Sequence, residues 1–343
     1  MLPGHPRTNA SPLSTDYLMT LFLDERCVAS LLTMDDALGA VEEVFREQGR
    51  GSVTNVPRVR APLKGGVLRI TAGVLSYRGL YGVKVSSTAV FGRNAGRMFC
   101  LYRETSGELC AVVQVFGMGA LRTGAASGIA TKYMSNENAR VLGVLGSGRQ
   151  ARTQVEAICR VRNITDIKVY SPTPANRERF CRDITDTHGG QGVRAVPVTS
   201  YEAAVRESDV IVSATTSSTP VVLGQWLARG AHINAIGANY EHRRELDTAA
   251  VQAASFIAAD DPEQARYEAT DLTEPVKEGV LSWDRVHSLA DVVAGTLKAR
   301  GPSTDITLFK SLGVAIEDVA LAARAYEKAL EQKAGVVLPD LAG

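Results

Sequence analysis

The sequence predicts an α/β protein in which a doubly wound parallel sheet is joined to an antiparallel α+β unit, and three observations predict it. Residues 55–116 break into short alternating stretches separated by Gly, Asn and Ser. From Arg140 onward, apolar strand-like runs alternate with helical segments. A glycine turn, Gly146, Ser147 and Gly148, stands between the first of those runs and the helix that follows it. Period-two stretches joined by turn residues pair as antiparallel hairpins, whereas strands that alternate with helices pair in parallel through crossovers.

Composition sets the outer bounds. The chain has 343 residues, 45% of them hydrophobic, with 38 basic against 37 acidic side chains. Domains usually run to about 100–200 residues, so the length suits two, and such a chain buries roughly three quarters of its unfolded surface. No disulfide or metal is needed to fold it. A net charge of +1 gives no broad attraction to phosphate backbones or anionic lipid, so neither nucleic acid nor a membrane is expected as a partner. The early apolar run at 18–23 is too short to span a bilayer and meets Asp24, Glu25 and Arg26 at once, so no signal peptide or membrane helix is read there. Cys27, Cys100, Cys110, Cys159 and Cys181 are odd in number and form no Cys-x-x-Cys pair. They read as buried reduced thiols, which suits a cytoplasmic protein.

In order along the chain, residues 1–17 are rich in Pro, Ser, Thr and Gly and read as a flexible tail. Thr33 is placed to cap a helix whose first turn holds Asp35 and Asp36. Ala37, Val41, Val44 and Phe45 then repeat at helical spacing until Gly49 and Gly51 stop the run. Next come the stretches VLRITAGVL, YGVKVSSTAVF, RMFCLYRE and LCAVVQVF, with turn signals RNAG and TSGE. The parallel strands are read as VLGVLG, DIKVYS, VRAVPV, DVIVSAT, AHINAIGA and FIAAD. Residues 313–332 form a long helix with apolar side chains three and four apart.

The glycine turn carries the first chemical signal. Gly146 permits the tight turn, Gly148 lets backbone approach a pyrophosphate, and Ala151 keeps the helix close to its strand, so a dinucleotide is expected on the helix N-terminus. At the end of DIKVYS, where an acidic residue would hold the ribose of NAD, the sequence has Ser171, then Thr173 and Arg177. No carboxylate there repels a 2′-phosphate, which favours NADP weakly over NAD.

Four stretches in order, PRVRAPL at 57–63, LRTGAASGIATKYM at 121–134, VLGSGRQA at 144–151 and ITLFKSLGVAIEDVA at 306–320, carry a wider likeness. With them the chain resembles the ornithine cyclodeaminase and mu-crystallin family from about residue 20 onward. The resemblance implies a substrate-binding and dimerisation domain, 18–125 together with 313–343, and a Rossmann NAD(P)-binding domain, 126–312, with the site between them and a homodimer as the assembly. It places Arg58 and Lys84 at a substrate carboxylate and Arg122 at the boundary of substrate and cofactor, with Ser311 and Leu312 closing the site. It gives the cofactor Arg122, Thr123, Gly146, Ser147, Gly148, Arg149, Gln150, Ser171, Thr173, Arg177, Thr215, Ser311 and the strand-edge residues Asn234, Ala235, Ile236 and Gly237. Physically, Arg58 and Lys84 stand in strand-like stretches where an unpaired charge is costly to bury, and a charge-assisted bond to a carboxylate contributes roughly 1.5–3 kcal/mol.

One position departs from the family. Ornithine cyclodeaminases carry an aspartate acid and base just after the strand that matches AHINAIGA, and this chain has Asn239. An amide has no useful pKa near neutrality, and a lost general acid or base typically costs about 10²–10⁴-fold in rate. The expected activity is therefore an NAD(P)H-dependent reduction of an imine of a small 2-oxo acid, or an amino-acid dehydrogenase in reverse, with Asn239 orienting the nitrogen and Lys84 handling the proton. Ornithine cyclodeamination, and non-enzymatic binding of NADP and a small ligand, are the alternatives. His232 and His242 have no partner at metal spacing and read as solvated or capping groups, and no metal is expected. Arg60, Arg69 and Arg93 could recognise a second carboxylate but read more simply as solvated sheet residues.

Overall fold

The computed structural model describes residues 19–89, 97–240 and 242–339. The tail at 1–17, the turn RNAG and Arg93 lie outside them.

The chain opens with β1 (Leu21–Leu23), α1 (Glu25–Leu31) and α2 (Met34–Gly49). The Thr33 hydroxyl accepts from the Asp36 N–H at 3.2 Å while the Asp36 carboxylate accepts from the Thr33 N–H at 3.0 Å, a reciprocal cap that satisfies two otherwise orphaned donors. Five strands follow, β2 (Val53–Leu63), β3 (Gly66–Leu75), β4 (Leu80–Ala89), β5 (Met98–Arg103) and β6 (Leu109–Gln114). Antiparallel hairpins join them in sequence, and β1 lies on the far side of β6. That last pair is parallel, with Leu21 opposite Ala111, so the expectation of a wholly antiparallel sheet is corrected at its edge. Two helices and four strands separate β1 from β6, too much chain for the hairpin turn that would set them antiparallel.

The helix α3 (Met118–Met134) runs through the junction drawn at 125/126. Its residues are mostly small and nearly all buried, so it has no polar face to show in the sequence. A Cβ on its Gly124 would lie 2.5 Å from the Thr153 carbonyl of the next helix, α4 (Arg149–Val161). This is close helix contact of the kind only glycine permits.

The parallel sheet begins with β7 (Val141–Leu145), which leads into α4, and continues through β8 (Asp166–Tyr170), α5 (Pro174–His188), β9 (Arg194–Pro197), α6 (Tyr201–Val205) and β10 (Val210–Ser213). It goes on with β11 (His232–Ala235), α7 (Thr248–Ala253), β12 (Phe256–Ala259), α8 (Pro262–Glu268), α9 (Thr270–Lys277), β13 (Val286–Ser288), α10 (Leu289–Ala294) and β14 (Thr307–Lys310). The strand order is β13-β12-β14-β11-β10-β7-β8-β9. Every pairing in it is parallel. From β7 the order runs outward in both directions, with β14 inserted between β11 and β12, so helices cover both faces of the sheet.

The long helix α11 (Ala315–Gln332) then returns to the first sheet, where Ile316, Val319, Leu321 and Ala325 share a core with Val41, Phe45 and Phe99. A Cβ on Gly73 of β3 would lie 3.0 Å from Ile316, so the helix sits directly on the strand. The final strand, β15 (Val336–Val337), pairs with β1.

Candidate active site

A cavity of about 510 Å³ lies between the two sheets. Side chains on one face of the antiparallel sheet form one wall. Arg58 comes from β2, Arg69 and Thr71 from β3, and Lys84 and Ser86 from β4, with Thr71 opposite Lys84 and Arg69 opposite Ser86. Residues two apart in a strand share a face, which is why these positions, and not their neighbours, reach the cavity. The opposite wall consists of residues just beyond the ends of the parallel strands: Ala214, Thr215 and Thr216 after β10, Ile236, Gly237 and Asn239 after β11, and Ser311 and Leu312 after β14. Open parallel sheets place their ligands at this edge.

Among the described residues, seven basic ones line the cavity, Arg58, Arg69, Lys84, Arg97, Arg122, Arg149 and Arg243, and no Asp or Glu does. The acids stand one layer behind. Lys84 forms an ion pair with Asp318. Arg122 donates to Glu317 at 3.0 Å and to Asp318 at 3.3 Å. Arg58 donates to Glu268 at 2.8 Å and to the Leu312 and Gly313 carbonyls at 3.0 and 2.6 Å. Sequence reasoning gave Arg58 and Lys84 a substrate carboxylate as their expected partner. The structure adds that each is also paired with a buried carboxylate of the protein itself.

Burial governs the protonation of this cluster. It pushes the Lys84 ammonium down to about 8, against the opposing pull of Asp318. The Glu317 carboxyl is pushed up to about 8 for the same reason, although Arg122 opposes the change. Burial alone would raise Asp318 too, but Lys84 and Arg122 outweigh it and hold the carboxyl below its ordinary range. At neutral pH the group of Lys84, Arg122, Asp318 and protonated Glu317 thus carries a net positive charge. Asp260, behind Leu312, is raised by burial to about 6 while accepting the Leu312 and Gly313 N–H groups at 2.7 Å each.

The glycine turn opens onto the same cavity through Gly148, Arg149 and Gln150. Gly146 has φ +108°, and a Cβ there would lie 2.6 Å from the Ala214 carbonyl, so the turn needs glycine. Helix α4 has no side-chain cap at Gly148, and nothing lies within 4 Å of where a Gly148 Cβ would project. The Gln150 Oε1 is buried and unpartnered. Uncapped N–H groups facing open space fit the pyrophosphate of a dinucleotide. Beyond the cavity's lining, Ser147 and Ser171 share a hydrogen bond at 3.0 Å, the Ser171 hydroxyl points at the Thr173 carbonyl at 3.5 Å, and Arg177 donates to the Ser171 carbonyl at 2.9 Å. These residues cluster where the ribose is expected. Thr123 lines the cavity beside Arg122.

Asn234 and Ala235 are not brought to the site. Both are fully buried in β11, and Asn234 donates to Thr131 of α3 at 3.0 Å. Strand β11 lies between β14 and β10 with both faces covered, so only Ile236 and Gly237, past its end, reach the cavity. His232 is likewise no solvated group, being fully buried and bonded to Thr307 at 2.9 Å. Burial pushes its imidazole down to about 3, so it is neutral. Nor are Arg60 and Arg69 solvated: Arg60 pairs with Glu268 and donates to the Asn239 carbonyl at 3.2 Å, and Arg69 donates to the Tyr240 hydroxyl at 2.6 Å. The Asn239 amide faces the cavity with no hydrogen-bond partner among the described residues.

Sequence reasoning missed the acids behind the walls. Glu245 accepts from the Thr215 N–H at 2.6 Å, the Thr215 hydroxyl at 2.7 Å and the Gly237 N–H at 2.6 Å. Its own N–H donates to Asp271 at 2.7 Å, and Asp271 is paired with Lys310 at 2.8 Å. The signal was present: Asp260 at the end of FIAAD, the pair Glu317 and Asp318 inside an apolar helix, and Lys310 closing a buried strand are charges where burial penalises them unless they are partnered. No cluster of metal-ligating side chains occurs among the described residues, and no helix there is long and apolar enough to cross a membrane. The five cysteines are free thiols, as expected, but only Cys110 and Cys181 are buried; Cys27, Cys100 and Cys159 are half-buried, which corrects the expectation of five buried thiols.

The chain is similar to known proteins over most of its length. It is 36% identical to an alanine dehydrogenase of Archaeoglobus fulgidus over 92% of this chain and 97% of that one. A Delta(1)-pyrroline-2-carboxylate reductase of Thermococcus litoralis, solved with NADH and L-proline, superposes with a TM-score of 0.87 at 34% identity, covering 93% of this chain and 100% of that one. The iminosuccinate reductase of Paracoccus denitrificans, solved with NAD+, superposes with a TM-score of 0.87 at 27% identity, covering 94% and 100%. The family model for ornithine cyclodeaminase and mu-crystallin matches residues 19–333, and the chain belongs to that family.

Proposed function

We propose that the protein reduces the C=N bond of an imine derived from a small 2-oxo acid and, in reverse, acts as an amino-acid dehydrogenase. One observation carries the reading: a cavity lined by cations, one of them the tuned ammonium of Lys84, adjoins an uncapped glycine turn fit for a dinucleotide. The similarity to an alanine dehydrogenase and to reductases of pyrroline-2-carboxylate and iminosuccinate supports it. A nicotinamide cofactor, when bound, supplies the hydride. The imine carbon gains that hydride, the nitrogen gains a proton, and C=N becomes CH–NH.

The chain's own residues do the rest. The net positive charge around Lys84 and Arg122 attracts the substrate carboxylate, and Arg58, fixed by Glu268, holds a third cation beside it. Lys84 is the proton source nearest the reacting nitrogen, and its ammonium is present below about pH 8. Asn239 offers a free amide to orient the nitrogen. Glu245 fixes the Thr215 and Gly237 backbone where the nicotinamide edge belongs. A preorganised wall of this kind saves reorganisation during reaction. The absence of an acidic residue at Ser171, with Arg177 beside it, favours NADP over NAD. Exposed Val56, Val59, Leu63 and Val85 on the antiparallel sheet give it an apolar outer face that suits a homodimer. The presence of two separate sheets supports a division into 18–125 with 313–343 and 126–312, with α3 crossing from one part to the other.

The test is a screen of 2-oxo acids with ammonia or amines, and of cyclic imine acids, with NADH and NADPH, followed at the nicotinamide absorbance. Turnover is expected with at least one carboxylate-bearing imine. Cofactor binding without turnover across the panel would leave only a binding protein, and release of ammonia and proline from ornithine would favour cyclodeamination. Asn239→Ala is expected to lower the reductive kcat/KM by about tenfold, the worth of one hydrogen bond to the reacting group.

A further inference from the structure

Beside the carboxylate pocket stands a second group of cations that the proposed reaction on a monocarboxylate does not use. Three arginines surround Tyr240: the guanidinium carbons of Arg60, Arg69 and Arg243 lie 5.3, 5.9 and 5.4 Å from its ring centroid. Among the described residues, one acid serves this group. Glu268 gives one oxygen to Arg60 and the other to Arg58, so a single negative charge is shared by two arginines. Arg69 has no carboxylate partner among the described residues. One of its terminal nitrogens donates to the Tyr240 hydroxyl, and its Nε is buried without any partner. A half-buried guanidinium that lines the cavity, keeps one donor without a partner and has no acid beside it is a charge waiting for an anion.

Strand geometry places this group relative to the first. Arg60 is opposite Arg69 and Arg69 opposite Ser86, while Thr71 is opposite Lys84. The row Arg60, Arg69, Ser86 therefore lies two residues along the strands from the row of Thr71 and Lys84, a spacing of about 7 Å on the same face. Two anions that far apart, each within reach of one row, belong to a short dicarboxylate. The charge balance agrees. Arg58, Arg60, Arg69, Lys84 and Arg122 face Glu268, Glu317 and Asp318, leaving at least two positive charges for the ligand to neutralise.

We propose that Arg69, held by Tyr240 and flanked by Arg60, is a specificity residue that binds a second carboxylate, so that the preferred substrate is the imine of a short 2-oxo diacid. This rests on the reading of the cavity as an imine-reducing site and narrows it to a substrate class. Planar recognition of a carboxylate by a guanidinium fork suits Arg69 better than a lysine would. A monocarboxylate leaves the arginine desolvated and unpaired, which is the costly state that separates two substrates.

The experiment compares oxaloacetate with pyruvate, each with ammonium and reduced cofactor, in the wild-type protein and in Arg69→Met, Arg69→Lys and Tyr240→Phe. Wild-type kcat/KM is expected to favour the diacid by about 10- to 100-fold. In Arg69→Met the diacid loses that much more than the monoacid, so the ratio falls toward one. Arg69→Lys, which keeps the charge but not the fork, and Tyr240→Phe, which frees the guanidinium, give intermediate ratios. Preference for pyruvate, or equal losses on both substrates in Arg69→Met, overturns the proposal. If neither substrate turns over, calorimetric titration of the cofactor-loaded protein with succinate and propionate decides. Tighter succinate binding that disappears in Arg69→Met upholds the second carboxylate subsite while the imine-reducing reading fails, and no preference for succinate rejects the subsite.

Discussion

Lys84→Met is expected to lower kcat/KM for imine reduction by about 10²–10⁴-fold, the usual contribution of a positioned general acid. The substitution leaves the helix α11 side intact, because Asp318 retains Arg122 at 3.3 Å, so circular dichroism and the unfolding midpoint should change little. The wild-type pH profile gives the sign. The Lys84 ammonium, pushed down to about 8 by burial, is fully present below that pH and is lost as pH rises through it. Reduction should hold level below about pH 8 and fall above it, roughly tenfold per unit where proton delivery limits. Oxidation of the amino acid needs the neutral amine as proton acceptor, so its rate should rise through the same range and then level. Initial rates in both directions from pH 6.5 to 10 test this. A reductive profile without an inflection near 8, or a Lys84→Met enzyme within a few-fold of wild type, would remove Lys84 from proton transfer.

The largest effect on stability is expected at Lys310→Met. Lys310 and Asp271 are both fully buried and paired at 2.8 Å. Removing one partner leaves a buried charge uncompensated, at a cost of about 3–5 kcal/mol. The paired substitution Lys310→Met with Asp271→Asn should recover much of this, for a geometric reason. The Glu245 and Leu246 N–H groups both donate to the same Asp271 oxygen, at 2.7 and 3.0 Å, and an asparagine oxygen can accept both. The other oxygen, which met the lysine, becomes a neutral amide. Urea unfolding of the two variants checks the difference. If the double variant is no more stable than the single one, the pair does not act through its charge.

What the sequence made legible follows from what local pattern can express. The period-two stretches gave β3 to β6, the strand and helix alternation gave β7 to β12, and the glycine turn lies where a strand ends and α4 begins. Helix α3 escaped because burial on every side leaves no polar stripe to mark a period. Strand β14 escaped as a pattern because four residues buried on both faces, one of them Lys310, alternate in nothing. At the site, Arg58, Lys84, Arg122 and Asn239, which the family likeness singled out in stretches far apart in sequence, all line one cavity. Their counter-charges were not found, because Glu268, Glu317 and Asp318 lie some 200 residues away along the chain, and only the fold brings them together. Asn234 and Ala235 were assigned by closeness to a strand edge, whereas one or two residues along a strand decide between core and cavity.

The position of β14 has a consequence for how the molecule is made. It comes after the other strands of the parallel sheet in sequence, yet it lies between β12 and β11 near the middle. Lys84 likewise meets its acid 234 residues further on, in α11, which also covers the antiparallel sheet. During translation, then, the nascent chain exposes two unfinished sheets with open apolar edges until the stretch containing β14 and α11 emerges. Such long-range closure folds slowly and leaves surfaces prone to association. The cavity cannot gather its charges before that moment, so a chain truncated before α11 should meet the cell as a substrate for chaperones and proteases rather than as a partly active enzyme.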